Sequence, residues 1–121
     1  MISTEEQQEY MRSGHMACPG CGEASTMRLV LKVLGEKTIV VILPSCVGVI
    51  SATFPNSTFK VPCFHSAFEI AAPTAAGIAN ALKVQGREDI TALAFAGDGG
   101  TFDIGLQSLS GAADRNDNFI Y

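Results

Sequence analysis

Apolar and polar positions along this chain follow two alternating periods, one helical and one strand-like. From Ala24 to Leu34 the residues Met27, Val30, Leu31 and Leu34 recur at spacings of three and four, which predicts a helix stopped by Gly35. Thr38 to Leu43 is continuous and β-branched, the pattern of a strand buried on both faces. Pro44 closes it, Ser45-Cys46-Val47-Gly48 opens a turn, and a short helix is expected over Val47 to Thr53, broken by Pro55. Asn56 to Pro62 reads as loop, with a short extended piece around Phe59. His65 to Phe68 leads into a long alanine-rich helix in which Ile70, Ile78 and Leu82 are the larger members, Pro73 sits in the first turns and Gly86 marks the end. Ile90 to Ala96 predicts a second buried strand, Thr101 to Ala113 a helix carrying Ile104, Leu106 and Leu109, and Asn118 to Tyr121 the start of a third strand.

Buried strands that each lead into a helix, with a long helix between them, give an α/β fold: a parallel sheet with flanking helices. Ligands of such sheets collect at the carboxyl ends of the strands, where the turns Pro44 to Gly48 and Gly97 to Thr101 both fall. Residues 1–14 form a polar arm, with Ser3 and Glu6 spaced as in a capping box. No internal repeat is visible. Because Asn118-Phe119-Ile120-Tyr121 reads as the inside of a strand, residues 1–121 are expected to be the N-terminal portion of one longer domain.

Charge and composition narrow the function. The net charge is −4, and no basic patch with interleaved aromatics is present, which argues against a nucleic-acid partner. No apolar run is long enough to span a membrane, and the acidic start Met1 to Gln7 is unlike a secretory signal, so the expected location is cytoplasmic. Four cysteines in such a chain point to metal or redox chemistry, not disulfides.

Two stretches carry candidate chemistry. Gly97-Asp98-Gly99-Gly100-Thr101 follows a strand and opens a helix, so its backbone N–H groups face outward where phosphate commonly binds. A carboxylate inside such a turn would repel phosphate unless a cation lay between them, so Asp98 reads as a ligand for Mg²⁺ bridging to a diphosphate. The plainer reading is a strand-to-helix turn that Asp98 merely caps. The second stretch is the Cys18-Pro19-Gly20-Cys21 knuckle, whose spacing suits zinc, an iron–sulfur cluster or a redox disulfide. Cys46 and Cys63 follow at distances that form no second knuckle. All four could still complete one zinc site, although Cys63 between Pro62 and Phe64 reads better as a small buried hydrophobe. His65 reads as a core or hydrogen-bonding histidine, not a metal ligand. Glu69 reads as a helix cap or partner contact, and His15 as solvent-exposed or adjacent to the knuckle.

Taken together, Gly14-His15-x-Ala17-Cys18-x-Gly20-Cys21-Gly22, the distant Cys46, Phe54-Pro55, His65-x-Ala67-Phe68-Glu69 and Gly97-Asp98-Gly99-Gly100-Thr101-x-Asp103-Ile104-Gly105-Leu106-Gln107 resemble the thiamine-diphosphate-binding β subunit of 2-oxoacid:ferredoxin oxidoreductases, of the pyruvate synthase type. The resemblance covers nearly all of the chain after residue 13. It implies part of a thiamine-diphosphate-binding fold in which Cys18, Cys21 and Cys46 are three ligands of a [4Fe–4S] cluster, the fourth lying beyond Tyr121. It implies that Asp98 binds Mg²⁺, that Gly97, Gly99, Gly100 and Thr101 line the diphosphate, and that Ser45, Cys46 and His65 lie on the cofactor side of the strand ends. The family's second Mg²⁺ ligand, an Asn, would also lie beyond Tyr121. The implied activity is oxidative decarboxylation of a 2-oxoacid, pyruvate first, to acyl-CoA. Electrons would pass through the cluster to ferredoxin, in anaerobic metabolism, with α and γ/δ subunits as partners. No residue of this chain reads as an acid–base catalyst. The alternatives are another oxoacid (2-oxoglutarate, branched-chain, oxalate), a thiamine enzyme without a cluster, and a non-enzymatic zinc module using all four cysteines.

Overall fold

Val40, Val41 and Ile42 are wholly buried, and the strand that carries them is the axis of the molecule. A computed structural model describes residues 8–51 and 55–121. Its elements, in order, are α1 (Gly22–Leu34), β1 (Thr38–Ile42), α2 (Cys46–Ser51), β2 (Cys63–His65), α3 (Ala71–Val84), β3 (Thr91–Phe95), α4 (Asp98–Phe102) and α5 (Leu106–Asp114). The strands form a parallel sheet in the order β2-β1-β3. Ile42 is in register with both His65 and Phe95, so the three strands end level with one another.

Alternation along β1 sends side chains to opposite faces. On one face Val40 and Ile42 join Leu93 of β3 in a cluster with Met27 and Leu31 of α1 and Val47 and Ile50 of α2. On the other, Val41 and Ala94 pack with Leu43 and with Ala71 and Ala75 of α3. The small alanines let α3 lie close to the sheet, and α5 packs against α3 from outside. Each fully buried Leu, Ile or Val contributes roughly 1.5–3 kcal/mol, so this two-sided core fixes the strand ends that carry the motifs.

The expected α/β architecture is the one observed. A fourth strand position begins at Ile120, which bridges Leu93 in parallel: the Ala94 N–H donates to the Ile120 carbonyl at 2.8 Å and the Ile120 N–H to the Ala92 carbonyl at 3.0 Å. Two local expectations need correction. Cys63–His65, read as the end of a loop and a lead into a helix, is a strand at the edge of the sheet. The helix expected over Thr101 to Ala113 is two, and the first begins at Asp98, inside the glycine turn. The polar arm is anchored over its described part. Met11 is buried and bridges Phe59 antiparallel, the Arg12 N–H donates to the Thr58 carbonyl at 2.8 Å and the Lys60 N–H to the Tyr10 carbonyl at 2.9 Å. The Ser3–Glu6 capping box and Phe54 lie outside the described residues.

Candidate functional site

The level carboxyl ends of the strands bring two turns into contact. A Cβ built on Gly97 would stand 3.3 Å from the Ser45 Cβ, so the loop after β3 lies directly on the loop after β1. Next to it, a Cβ on Gly100 would meet Leu43 Cδ1 at 2.5 Å and the Phe68 carbonyl oxygen at 3.1 Å, and one on Gly99 would stand 3.0 Å from Phe68 Cζ. These glycines are thus imposed by packing: α4 is wedged between the end of β1 and the loop that joins β2 to α3. That loop is itself pinned. The buried Ser66 hydroxyl lies 2.8 Å from Thr74 Oγ1 of α3, and Ser108 of α5 donates to the Glu69 carbonyl at 2.8 Å.

Helix α4 begins with donors that meet no carbonyl among the described residues. Its N-cap is Gly97, in an extended conformation, and no side chain caps it. The first backbone bond of the turn is Thr101 N–H to the Gly97 carbonyl at 3.0 Å; the N–H groups of Asp98, Gly99 and Gly100 find no carbonyl among the described residues. Asp98 is exposed at the first helical position and is not the cap of the plainer reading. A row of free N–H groups beside one exposed carboxylate fits a diphosphate held together with a divalent cation.

The cysteine loop is built from the other direction. The Cys21 N–H donates to the Cys18 carbonyl at 3.0 Å, and Gly20 adopts the positive φ of 76° that this tight turn requires. Cys21 is also the N-cap of α1 and packs against the cluster that contains Val47, the neighbour of Cys46. His15 accepts the Ala17 N–H on Nδ1 at 3.3 Å, holding the approach to the knuckle, and is half-buried. Cys18 and Cys46 are exposed and Cys21 is half-buried, all as free thiols. A cavity of about 710 Å³ opens beside this loop, lined by Met11, Arg12, His15, Cys18, Cys21 and Lys60 among others.

The soft donor set suits an iron–sulfur cluster or zinc. Among the described residues, however, no three His, Cys, Asp or Glu side chains are gathered closely enough to hold one metal ion. Cys63 lies on β2, half-buried, and burial pushes its thiol up to about 11. His65 is exposed at the end of β2 and is not a core histidine. Glu69 caps nothing: the N-cap of α3 is Ile70, without a side-chain bond. Two side chains at the turn escaped the sequence reading, Ser108 and Tyr121. The Tyr121 hydroxyl reaches Thr101 and Gly100, which follows only from the pairing of Ile120 with β3 and leaves no local signal.

Comparison with known proteins places these features in a lineage. The family model described as "Thiamine pyrophosphate enzyme, C-terminal TPP binding domain" matches residues 45–121, from the turn after β1 through the glycine turn. The pyruvate synthase subunit PorB of Methanothermobacter thermautotrophicus is 49% identical over 115 residues, covering 95% of this chain and 40% of that protein. The PorB subunit of Methanocaldococcus jannaschii is 43% identical over 122 residues, 95% of this chain and 41% of that protein. The ketoisovalerate oxidoreductase subunit VorB of Pyrococcus furiosus is 43% identical over 119 residues, 94% of this chain and 38% of that protein. The chain thus spans about 40% of the length of the curated relatives it matches.

Proposed function

This chain belongs to the thiamine pyrophosphate enzyme family, and on that premise we propose that it binds thiamine diphosphate through the turn at Gly97–Thr101 as part of a 2-oxoacid:ferredoxin oxidoreductase subunit. The observation that carries the reading is the contact of the glycine turn with Ser45 at the carboxyl edge of the parallel sheet, with N–H groups that meet no carbonyl among the described residues and an exposed Asp98. When bound, thiamine diphosphate would supply the electron sink for decarboxylating a 2-oxoacid, and a [4Fe–4S] cluster would supply one-electron redox chemistry. The chain's own residues hold and orient. Asp98 offers its carboxylate to Mg²⁺, and the N–H groups of Asp98, Gly99 and Gly100 receive the diphosphate oxygens. Gly97 keeps this turn against Ser45, and His65 stands level with them at the end of β2. Cys18, Cys21 and Cys46 would supply thiolates for the cluster, and Cys46 lies at the same strand edge as Asp98.

Pyruvate is the favoured substrate, since relatives named pyruvate synthase are among the most similar; a branched-chain oxoacid is the competing reading that the VorB relatives raise. CoA takes the acyl group and ferredoxin the electron pair. The relatives are named as subunits, and α and γ/δ subunits are the proposed partners. Phe102, Ile104 and Leu106 stand 50–76% exposed beside the turn, an apolar surface suited to such a contact. No helix among the described residues is long and apolar enough to cross a membrane, and a cytoplasmic location is part of the proposal.

The test uses the whole enzyme purified without oxygen. It should be brown, with visible absorption that bleaches in air, and should retain thiamine diphosphate and Mg²⁺. Cys18→Ser and Cys46→Ser should lose iron and colour while Cys63→Ser keeps both, and Asp98→Asn should release thiamine diphosphate. A colourless protein holding one zinc per chain would overturn the reading in favour of a zinc module.

A further inference from the structure

Tyr121 reaches back from the strand position beyond β3 to Gly100 and Thr101 of helix α4. Its hydroxyl lies 3.3 Å from Thr101 Oγ1 and 3.3 Å from the Gly100 carbonyl oxygen. Thr101 in turn donates its hydroxyl proton to the Gly97 carbonyl at 2.8 Å. A hydroxyl has one proton to give. Thr101 spends its own on Gly97, so toward Tyr121 it acts as acceptor, and the single Tyr121 proton is shared between Thr101 Oγ1 and the Gly100 carbonyl. The result is a chain of hydroxyls from Tyr121 through Thr101 to Gly97, spanning the whole Gly97–Thr101 turn.

The turn needs such a brace. Helix α4 has five residues, no side-chain cap and two interior glycines, which pay the largest backbone entropy on ordering. Tyr121 is well placed to supply it. Its neighbour Ile120 is tied to β3 by backbone bonds at 2.8 and 3.0 Å, and its ring meets Phe119 edge-on with centroids 6.4 Å apart. The anchor is therefore the sheet itself. With its hydroxyl spent on Gly97, Thr101 is no free donor to a diphosphate, and its part in the turn is to carry the brace inward.

We infer that Tyr121 is a positioning residue for the Gly97–Thr101 turn, fixing the free N–H groups of α4 through Thr101 and Gly100. The geometric half of this inference stands by itself; its consequence for cofactor binding rests on the thiamine diphosphate reading. Two measurements on the whole enzyme separate them. The first is amide hydrogen exchange in cofactor-free protein: Tyr121→Phe, which keeps the ring, should speed exchange at the hydrogen-bonded amides of Thr101 and Asp103 and leave α3 unchanged. Thr101→Val should do the same, Thr101→Ser should restore the slow exchange, and Tyr121→Phe should add less in the Thr101→Val background than alone. The second is calorimetric titration with thiamine diphosphate and Mg²⁺. Tyr121→Phe should weaken binding about three- to tenfold, the usual worth of one hydrogen bond. Unchanged exchange in Tyr121→Phe, or strictly additive effects with Thr101→Val, overturns the inference. Faster exchange in a protein that binds no thiamine diphosphate upholds the brace and sinks the functional reading instead.

Discussion

The ring of Phe68 fills the space that a side chain at Gly99 would need: a Cβ there would stand 3.0 Å from Phe68 Cζ. The contact is between the far end of a side chain and a backbone, and Phe68 is 37% exposed, so the ring can yield outward. Gly99→Ala should therefore fold with a melting temperature within a few degrees of the parent. The added methyl and the displaced ring crowd the N–H groups of α4, so affinity for thiamine diphosphate with Mg²⁺ should fall about tenfold, or about 1.4 kcal/mol. Pairing it with Phe68→Leu should recover part of the loss. Equal loss in single and double variants would show that the methyl itself, and not the ring, does the damage.

Gly105 is a different case. A Cβ there would overlap the Gly100 carbonyl oxygen, which is backbone and cannot rotate away. Gly105→Ala should cost about 3 kcal/mol or more, the upper range for overpacking, and lower the melting temperature accordingly. Gly77, in the middle of α3, has nothing within 4 Å of its would-be Cβ and is exposed. Gly77→Ala should stabilise by about 0.5–1 kcal/mol through helix propensity alone. Thermal melts of the two variants should move in opposite directions.

Gly105 also marks where the sequence stops being readable. Apolar periodicity runs on from Thr101 through Ala113, so one helix is the natural expectation. The break between α4 and α5 is set by the approach of Gly105 to Gly100, a tertiary contact without periodic signature. Strand β2 escaped for a related reason. Cys63-Phe64-His65 has three residues and no β-branched member, and only pairing with Val40–Ile42 makes it a strand. By contrast β1, α1, α3 and β3 were legible, because each is long enough for its burial pattern to repeat. At the site, the position of the glycine turn and of Cys46 at one sheet edge followed from the order of strands and helices. The Phe68 contact and the reach of Tyr121 did not, since both join segments far apart in sequence.

Cys63 should separate from the other cysteines by its pH dependence. Burial disfavours its thiolate and pushes the thiol up to about 11, above the ordinary 9.0. In enzyme stripped of metal, iodoacetamide should modify the exposed Cys18 and Cys46 well before Cys63 at pH 8, with the Cys63 rate still climbing at about pH 10. The folded state holds the proton more tightly than the unfolded state, so the stability from this group is complete below about pH 9 and is lost as the pH rises toward about 11. Mass spectrometry of alkylated peptides checks the first point, and denaturant titrations of the parent and Cys63→Ala the second. A Cys63 rate that levels off below pH 9 would contradict the burial argument.

Glu9 should act as the latch of the N-terminal arm. Its Oε2 accepts from Arg28 Nε at 2.7 Å and Nη2 at 2.6 Å, and Lys32, one helical turn further along α1, stands 3.3 Å away. Its Oε1 is shut off from solvent without a partner among the described residues. The Arg28 hydrogen bond is the largest influence on the Glu9 carboxyl and, with Lys32, outweighs the opposing effect of burial, so the group is held below the ordinary carboxylate value of 4.5. A carboxylate with a lowered folded-state pKa contributes fully above its unfolded value, and the contribution disappears as the pH falls through the folded one. At pH 7, Glu9→Gln keeps the shape and removes the charge, so proteolysis within residues 8–21 should quicken. The parent should approach the rate of the variant only below pH 4.5. High salt should narrow the difference at neutral pH, because the Arg28 side chain is exposed and open to screening. Equal cleavage of parent and variant at pH 7 and low salt would mean that the backbone bonds of Tyr10 and Arg12, and the buried Met11, hold the arm without help from the ion pair.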